Sequence, residues 1–130
     1  MIIKQTPDLQ KAKSLQIMAK ITLERLNKTD IEKYPSNTLL DYYDIIHKLM
    51  DAILLKDGIK IKGDGSHKEL IDQMFKKNYI NQQLKIFLQQ MREYRNRISY
   101  EGFMINLNYI ELNKKYIKEI INSLFNKLNL

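Results

Sequence analysis

Apolar residues recur at spacings of three and four along most of the chain, which is the period of an amphipathic helix. The first such stripe consists of Leu9, Ala12, Leu15, Met18, Ala19, Leu23 and Leu26. Ile17 and Ile21 widen the stripe, which indicates burial on more than one side. Thr6 suits an N-cap and Pro7 suits a first helical position. These signals predict a first helix that ends near Asn27.

A second long helix is predicted from Ser36 or Asn37 up to Gly58, a residue type that commonly follows a helix C-terminus. Its apolar positions alternate by four and three, as in a heptad seam, and are Leu39, Tyr43, Ile46, Met50 and Ile53. The segment from Ile59 to Gly65 begins with apolar and polar residues in alternation, but no second strand is evident for it to pair with. We therefore expect this segment to be a loop.

Three further helices follow in the pattern. Ser66, with a glutamate three residues later, forms a capping box at the start of a short helix. Asn81 suits the N-cap of a longer helix, which ends before Gly102. The apolar stripe of this helix is Leu84, Phe87, Leu88, Met91, Tyr94, Arg95 and Ile98. Asn108 repeats the capping-box pattern before the stripe Ile110, Ile117, Ile120, Ile121, Leu124 and Leu128. The pattern predicts one all-α domain over residues 1–130, an up-and-down four-helix bundle with one additional short helix.

Composition excludes several kinds of chemistry. The 130 residues include no cysteine and two histidines, so a disulfide scaffold, a thiolate metal site and a histidine-rich metal site are all ruled out. The stretch Gly63–Ser66 only loosely resembles an anion-binding loop, because it lacks the lysine of a P-loop. We expect no metal and no cofactor. No apolar run is long enough to span a membrane and no signal-peptide pattern is present, so we expect a cytoplasmic protein.

The charge balance favours an anionic partner. The formal net charge is +7, and residues 66–130 carry 11 basic and 6 acidic side chains against 11 and 9 in residues 1–65. An excess of this size is typical of proteins that bind nucleic acid or acidic partners. In the alternative, the excess positive charge reflects abundant surface lysines that serve only solubility.

Three of the four arginines lie between residues 92 and 97, as Arg92, Arg95 and Arg97. Arg95 shares the apolar stripe of its helix, and a guanidinium on a core-facing stripe must be paired or must line a cleft. The planar fork of arginine matches phosphate and carboxylate oxygens. The cluster therefore predicts a phosphate site at the end of this helix. In the alternative, the arginines complement the helix C-terminus and pair with Glu93 and Glu101.

The two histidines carry weaker signals. His67 lies in the first turn of the short helix, with no acid, base or nucleophile beside it in the sequence, and its role is left open. His47 lies mid-helix beside the apolar seam and is interpreted as a boundary residue. Tyr94 and Tyr100, next to the arginines, suit either the stacking of bases or a place in the core.

Three segments together resemble the HEPN family of small α-helical bundles. They are Lys48–Gly58, which is similar to the second helix of that family, Ser66–Met74, which is similar to its S-H-x-x-L helix start, and Arg95–Tyr100, which falls where members carry the motif R-x(4–6)-H. The resemblance implies a homodimer in which the motif arginines of two subunits meet in a basic cleft. Active members are metal-independent ribonucleases, many of them toxins of toxin–antitoxin or defence systems and often paired with a small nucleotidyltransferase.

In this motif Arg95 matches the arginine and Asn96 the polar residue that commonly follows it, but Tyr100 stands in place of the histidine. A phenol ionises far above neutral pH and is a poor proton shuttle. The leading hypothesis is therefore a non-catalytic homodimer that binds RNA or a protein partner, with Arg92, Arg95, Asn96 and Arg97 as the phosphate-binding residues. The second is a ribonuclease that uses Arg95 with Tyr100 or another unconventional partner, and the third is an adaptor that binds no nucleic acid. The wide apolar faces of the first two helices also favour a dimer.

Overall fold

The computed structural model describes residues 1–129, and in this part of the chain five helices accompany a two-stranded sheet. In chain order the elements are β1 (Ile2–Lys4), α1 (Leu9–Asn27), α2 (Pro35–Lys56), β2 (Ile59–Ile61), α3 (Ser66–Lys76), α4 (Gln82–Glu101) and α5 (Leu107–Leu128). The predicted helical class is confirmed, with four long helices and one short one.

Helix α2 is the central element of the fold. It contacts α1, α3, α4 and α5. All five residues of its predicted seam are buried, and so are Tyr42, Ile45 and Leu49 on its other sides. A helix that is apolar around most of its circumference is stable only when neighbours cover every side. The other helices therefore pack around α2.

The last two helices differ in how deeply they are buried. Every residue of the predicted α5 stripe is buried, as the pattern indicates. In α4 only Leu88 and Met91 are fully buried, because α4 packs along one side against α2 and α3. The C-terminal half of α4, which carries Arg95, therefore lies at the boundary between core and solvent.

The expectation of a loop from Ile59 to Gly65 is wrong for its first three residues. Ile59–Ile61 form β2, which pairs antiparallel with β1 in the register Ile2↔Ile61, Ile3↔Lys60 and Lys4↔Ile59. The partner strand lies more than fifty residues earlier in the chain. The alternation of apolar and polar residues is local, but the strand that pairs with it is distant, so the pattern alone does not reveal the pairing.

Gly58 joins α2 to the sheet in a way that requires glycine. Its φ is +77°, and a Cβ there would collide with the carbonyl oxygen of Gln5. The Gln5 amide also donates a hydrogen bond of 2.7 Å to the Gly58 carbonyl. The predicted role of Gly58 after the helix is confirmed, and the close approach of the strand β1 end adds a second reason for it.

The helix caps agree with the sequence only in part. Asn81 caps α4 as predicted, its side chain accepting a 2.8 Å hydrogen bond from the amide three residues later. Helix α1 is capped by Asp8 and not by Thr6, and α5 is capped by Asn106 and not by Asn108. The residue at which the backbone enters the helix is the one whose side chain can cap it. Thr6 and Asn108 have suitable side chains, but the helices begin after Asp8 and Asn106 instead.

The outer face of α1 retains exposed apolar side chains. Ile17, Met18 and Ile21 are each about half exposed. The expectation that Ile17 and Ile21 are buried on a second side of α1 is therefore wrong within this chain. The apolar surface of α2, by contrast, is covered by the other helices. Of the first two helices, only α1 therefore leaves an excess of apolar surface exposed.

Candidate functional site

The C-terminal half of α4, the start of α3 and the middle of α2 meet at one place on the surface. Arg92 and Arg95 come from α4, His67 comes from α3, and Tyr43 and His47 come from α2. Helix α4 carries the arginines there because its apolar stripe packs against α2 and α3. The predicted arginine site therefore gains two imidazoles that are distant from it in the sequence.

Arg95 is the centre of this site. Its side chain is partly buried, its Nη1 donates a 3.1 Å hydrogen bond to Asn96 Oδ1, and its guanidinium lies 5.9 Å from the ring centre of Tyr100. Among residues 1–129, no carboxylate oxygen lies within 4.0 Å of it. Pairing of Arg95 with Glu93 or Glu101 is therefore absent in the described part of the chain, and its charge is free to meet an external anion.

The two neighbouring arginines occupy different surroundings. The Arg92 side chain is only 17% exposed, and its Nε donates a 2.8 Å hydrogen bond to Gln89. Its Nη2 lies 3.9 Å from Glu93, a distant contact. The Arg97 guanidinium stacks on the ring of Phe103, 4.0 Å from its centre. The structure thus brings Arg92, Arg95 and Asn96 together and leaves Arg97 apart from them.

His67 is the site residue that the sequence did not assign. Its ring stacks on the ring of His47 with a centroid separation of 4.1 Å and an angle of 29°. Its Nδ1 lies 3.2 Å from the hydroxyl of Tyr43, within hydrogen-bonding distance. No local signal places His67 beside Arg95, because the contact depends on how α3 packs against α4. The position of the imidazole becomes visible only in the folded chain.

Burial keeps both imidazoles uncharged near neutral pH. Burial first, and then the neighbouring His67, lowers the pKa of His47 to about 4. Burial, followed by the charges of Arg95 and Arg92, lowers the pKa of His67. Burial also raises the pKa of Tyr43 to about 12, so its hydroxyl stays protonated. At neutral pH the two imidazoles therefore add no positive charge to the site, and His67 retains a basic nitrogen.

Two clefts of about 320 Å³ each adjoin Arg95, and both Arg95 and His67 line each of them. The first, which we call the imidazole cleft, is also lined by Leu40, Asp41, Tyr43, Asp44, His47 and Ser99. The second, which we call the cationic cleft, is also lined by Gly63, Asp64, Gly65, Ser66, Lys68, Arg92, Asn96 and Tyr100. Arg97 is not among the residues that line either cleft.

The start of α3 adds polar backbone groups to the cationic cleft. The expected capping box at Ser66 is wrong: Gly65 occupies the N-cap with a φ of +74°, and no side chain caps the helix. Glu69, the other half of that box, instead forms a 2.9 Å contact with the amino group of Met1. Uncapped amides at a helix start favour negative charge, so the backbone complements the two arginines.

The described residues 1–129 contain no group of three or more His, Cys, Asp or Glu side chains placed to hold a metal ion. No helix within the same range is both long and apolar enough to cross a membrane. The side chains that line the two clefts offer guanidinium, ammonium, imidazole, amide and hydroxyl groups, beside the carboxylates of Asp41, Asp44 and Asp64. Together the donor groups suit the binding of a phosphate group.

No protein-family model, curated protein or solved structure matches this chain.

Proposed function

We propose that this chain is an RNA-binding module that holds a backbone phosphate in the cationic cleft without cutting the strand. The observation that carries the proposal is the partly buried guanidinium of Arg95, which lines both clefts and has no carboxylate partner among residues 1–129. Removing an arginine from water is costly unless an anion pairs with it. Two oxygens of a phosphate match its planar fork.

The surroundings of Arg95 support a phosphate in preference to a protein carboxylate. Arg92 and Lys68 bring two more positive charges to the cationic cleft, and the uncapped start of α3 adds backbone amides. The oxygens of a backbone phosphate are arranged tetrahedrally, whereas those of a carboxylate lie in one plane, so a phosphate suits donors that converge from several directions. The net charge of +7 adds long-range attraction for a polyanion.

The wider proposal follows the HEPN resemblance: a cytoplasmic homodimer with the four-helix arrangement of that family, working in a toxin–antitoxin or defence context beside a nucleotidyltransferase-type partner. Two of the three segments that carry the resemblance, Ser66–Met74 and Arg95–Tyr100, supply residues to the same site. The half-exposed Ile17, Met18 and Ile21 support the dimer, because paired subunits would cover them.

The test is the salt dependence of RNA binding by the intact chain and two matched variants. Arg95→Ala removes the proposed phosphate contact, whereas Arg97→Ala removes an equal charge from the same helix but outside both clefts. Each phosphate contact on a single strand contributes about 0.7 to the slope of log K against log salt concentration. We expect Arg95→Ala to weaken binding and to reduce the slope by about that amount, while Arg97→Ala changes both much less.

Two results would contradict the proposal. Equal effects of Arg95→Ala and Arg97→Ala would mean that net charge, and not the cleft, attracts the RNA. Absence of RNA binding at low salt would favour the adaptor hypothesis, in which the same surface contacts a protein.

A second candidate function is favoured by the position of His67. In a metal-independent ribonuclease a base takes the proton of the ribose 2′-OH, the oxygen attacks the adjacent phosphorus, and the 5′ oxygen leaves with a proton. Arg95 would stabilise the charge of the pentacoordinate phosphate, and His67 would stand in for the histidine that Tyr100 replaces. When the His67 Nδ1–H donates to Tyr43, Nε2 is left unprotonated to act as the base.

Cleavage of a labelled RNA in the presence of a chelator distinguishes the two candidates. The ribonuclease hypothesis predicts cleavage by the intact chain, a loss of two to four orders of magnitude in His67→Gln (about the worth of general acid–base help), and loss in Arg95→Ala. The binding module predicts none of this activity, with RNA affinity retained in His67→Gln.

A further inference from the structure

We infer that Tyr100 is a platform on which an unpaired nucleobase stacks, so that the site selects single-stranded RNA over duplex. This inference rests on the proposed function, because it concerns the nucleotide whose phosphate Arg95 holds. It gives the motif tyrosine a binding role in place of the acid–base role of the histidine.

The first observation is the exposure of the ring. Tyr100 is 77% exposed although it lies on the last turn of α4, which packs against the core on its other side. An aromatic side chain of this size at the edge of a polar cleft contributes nothing to the core. Tyr94, on the same helix, shows the contrast: it is partly buried and packs against Phe103 and Tyr109. Tyr100 is therefore available to an external ring.

The second observation is the position of the ring relative to Arg95. The guanidinium lies 5.9 Å from the ring centre of Tyr100, within the range of a cation–π contact. Both residues line the cationic cleft, with Arg92 and Asn96 beside them. A phosphate on the guanidinium and a base on the ring thus lie next to each other, as they do within a strand. One nucleotide step is enough to reach both.

The third consideration is the geometry of the ligand. In a duplex the bases are stacked and paired inside the helix and cannot reach a side chain at the phosphate backbone. In a single strand a base can turn outward and stack on tyrosine, and every base offers a flat face for it. A phosphate site with an adjacent exposed aromatic ring is therefore specific for unpaired nucleotides without being specific for sequence.

The test uses fluorescence anisotropy with three probes of about ten nucleotides: oligoadenosine, a strand with the same phosphates but abasic sugars, and a duplex of equal length. The variants are Tyr100→Ala, Tyr100→Phe, Arg95→Ala, and Tyr34→Ala as the matched control. Tyr34 is 60% exposed and lines neither of the two clefts at Arg95. Because Tyr100 is exposed, its replacement should leave the circular dichroism spectrum and the thermal midpoint unchanged.

We expect the intact chain to prefer oligoadenosine to the abasic strand and to the duplex. Tyr100→Ala should weaken oligoadenosine binding at least about fivefold, while Tyr100→Phe and Tyr34→Ala stay within about twofold of the intact chain. Binding of the abasic strand should not change in Tyr100→Ala. This comparison isolates the base, since the abasic strand presents the same phosphates.

The outcomes separate this inference from the proposed function. If Arg95→Ala weakens all three probes but Tyr100→Ala binds oligoadenosine like the intact chain, the platform is refuted and the phosphate site stands. If Tyr100→Ala weakens the abasic strand as much as oligoadenosine, the ring acts through Arg95 and the inference also fails. If Arg95→Ala changes no probe, the proposed function itself is overturned.

Discussion

The partly buried imidazole of His47 makes the stability of the fold depend on pH in a definite direction. Its pKa is about 4 in the folded chain, against an ordinary value of 6.5 that applies once the chain unfolds. Between these values the unfolded chain binds a proton that the folded chain does not. Stability is therefore full above pH 6.5 and falls as the pH is lowered through this window.

The magnitude follows from the difference between the two pKa values. A gap from 6.5 to about 4 is worth about 3 kcal/mol when fully developed, at 1.36 kcal/mol for each pH unit. Between pH 7 and pH 5 the loss amounts to about 2 kcal/mol, because the folded chain is still mostly unprotonated at pH 5. Lowering of the His67 pKa by burial and by Arg95 acts in the same direction.

The assay is urea unfolding at pH 7, 6 and 5 and constant ionic strength, for the intact chain and for His47→Gln. The glutamine cannot titrate. Between pH 7 and pH 5 the free energy of unfolding of the intact chain should therefore fall by about 2 kcal/mol more than that of His47→Gln. Taking this difference cancels other titrations, including that of Asp51, whose pKa burial raises.

A second variant separates the causes. His67→Gln removes the neighbouring imidazole, which both lowers the pKa of His47 and stacks on its ring, whereas Tyr43 still lies beside His47. Burial is the largest cause of the low pKa, so the pH dependence should weaken in His67→Gln without disappearing. Parallel curves for the intact chain and His47→Gln from pH 7 to 5 would refute the reasoning, since the titrating group would then lie elsewhere.

Three other changes test the fold and the site. Gly58→Ala should destabilise the chain by more than about 1 kcal/mol in urea unfolding, because a Cβ there collides with the Gln5 carbonyl at a positive φ; unchanged stability would show that the strand can yield. Tyr100→His introduces the histidine of the HEPN motif next to Arg95 and should raise cleavage of labelled RNA in the presence of chelator, and an inactive but folded variant would count against a HEPN-like site. Sedimentation should show a dimer at micromolar concentration that Ile21→Glu converts to monomer, whereas a monomeric intact chain would remove the dimer from the proposal.

The sequence alone determined the elements whose signals are local. The seam of α2 and the stripe of α5 repeat at the helical period over several turns, and these positions are buried as predicted. Asn81 caps α4 because its side chain accepts a hydrogen bond from the amide three residues later. Gly102 ends the helix with a φ of +67°. The arginine cluster is also a local signal, since Arg95 stands at an apolar position of the helical spacing.

Tertiary structure decided what depends on segments that are distant in the chain. Ile59–Ile61 form a strand because residues 2–4 pair with them. The alternation of apolar and polar residues at this segment does not show where in the chain a partner strand lies. His67 became part of the site because α3 packs on α4. Arg97, by contrast, lies on Phe103 at the turn after α4 and outside the clefts. Spacing along a helix tells which residues share a face, whereas the packing of helices decides which faces meet, and the chemistry of this site is made where α2, α3 and α4 meet.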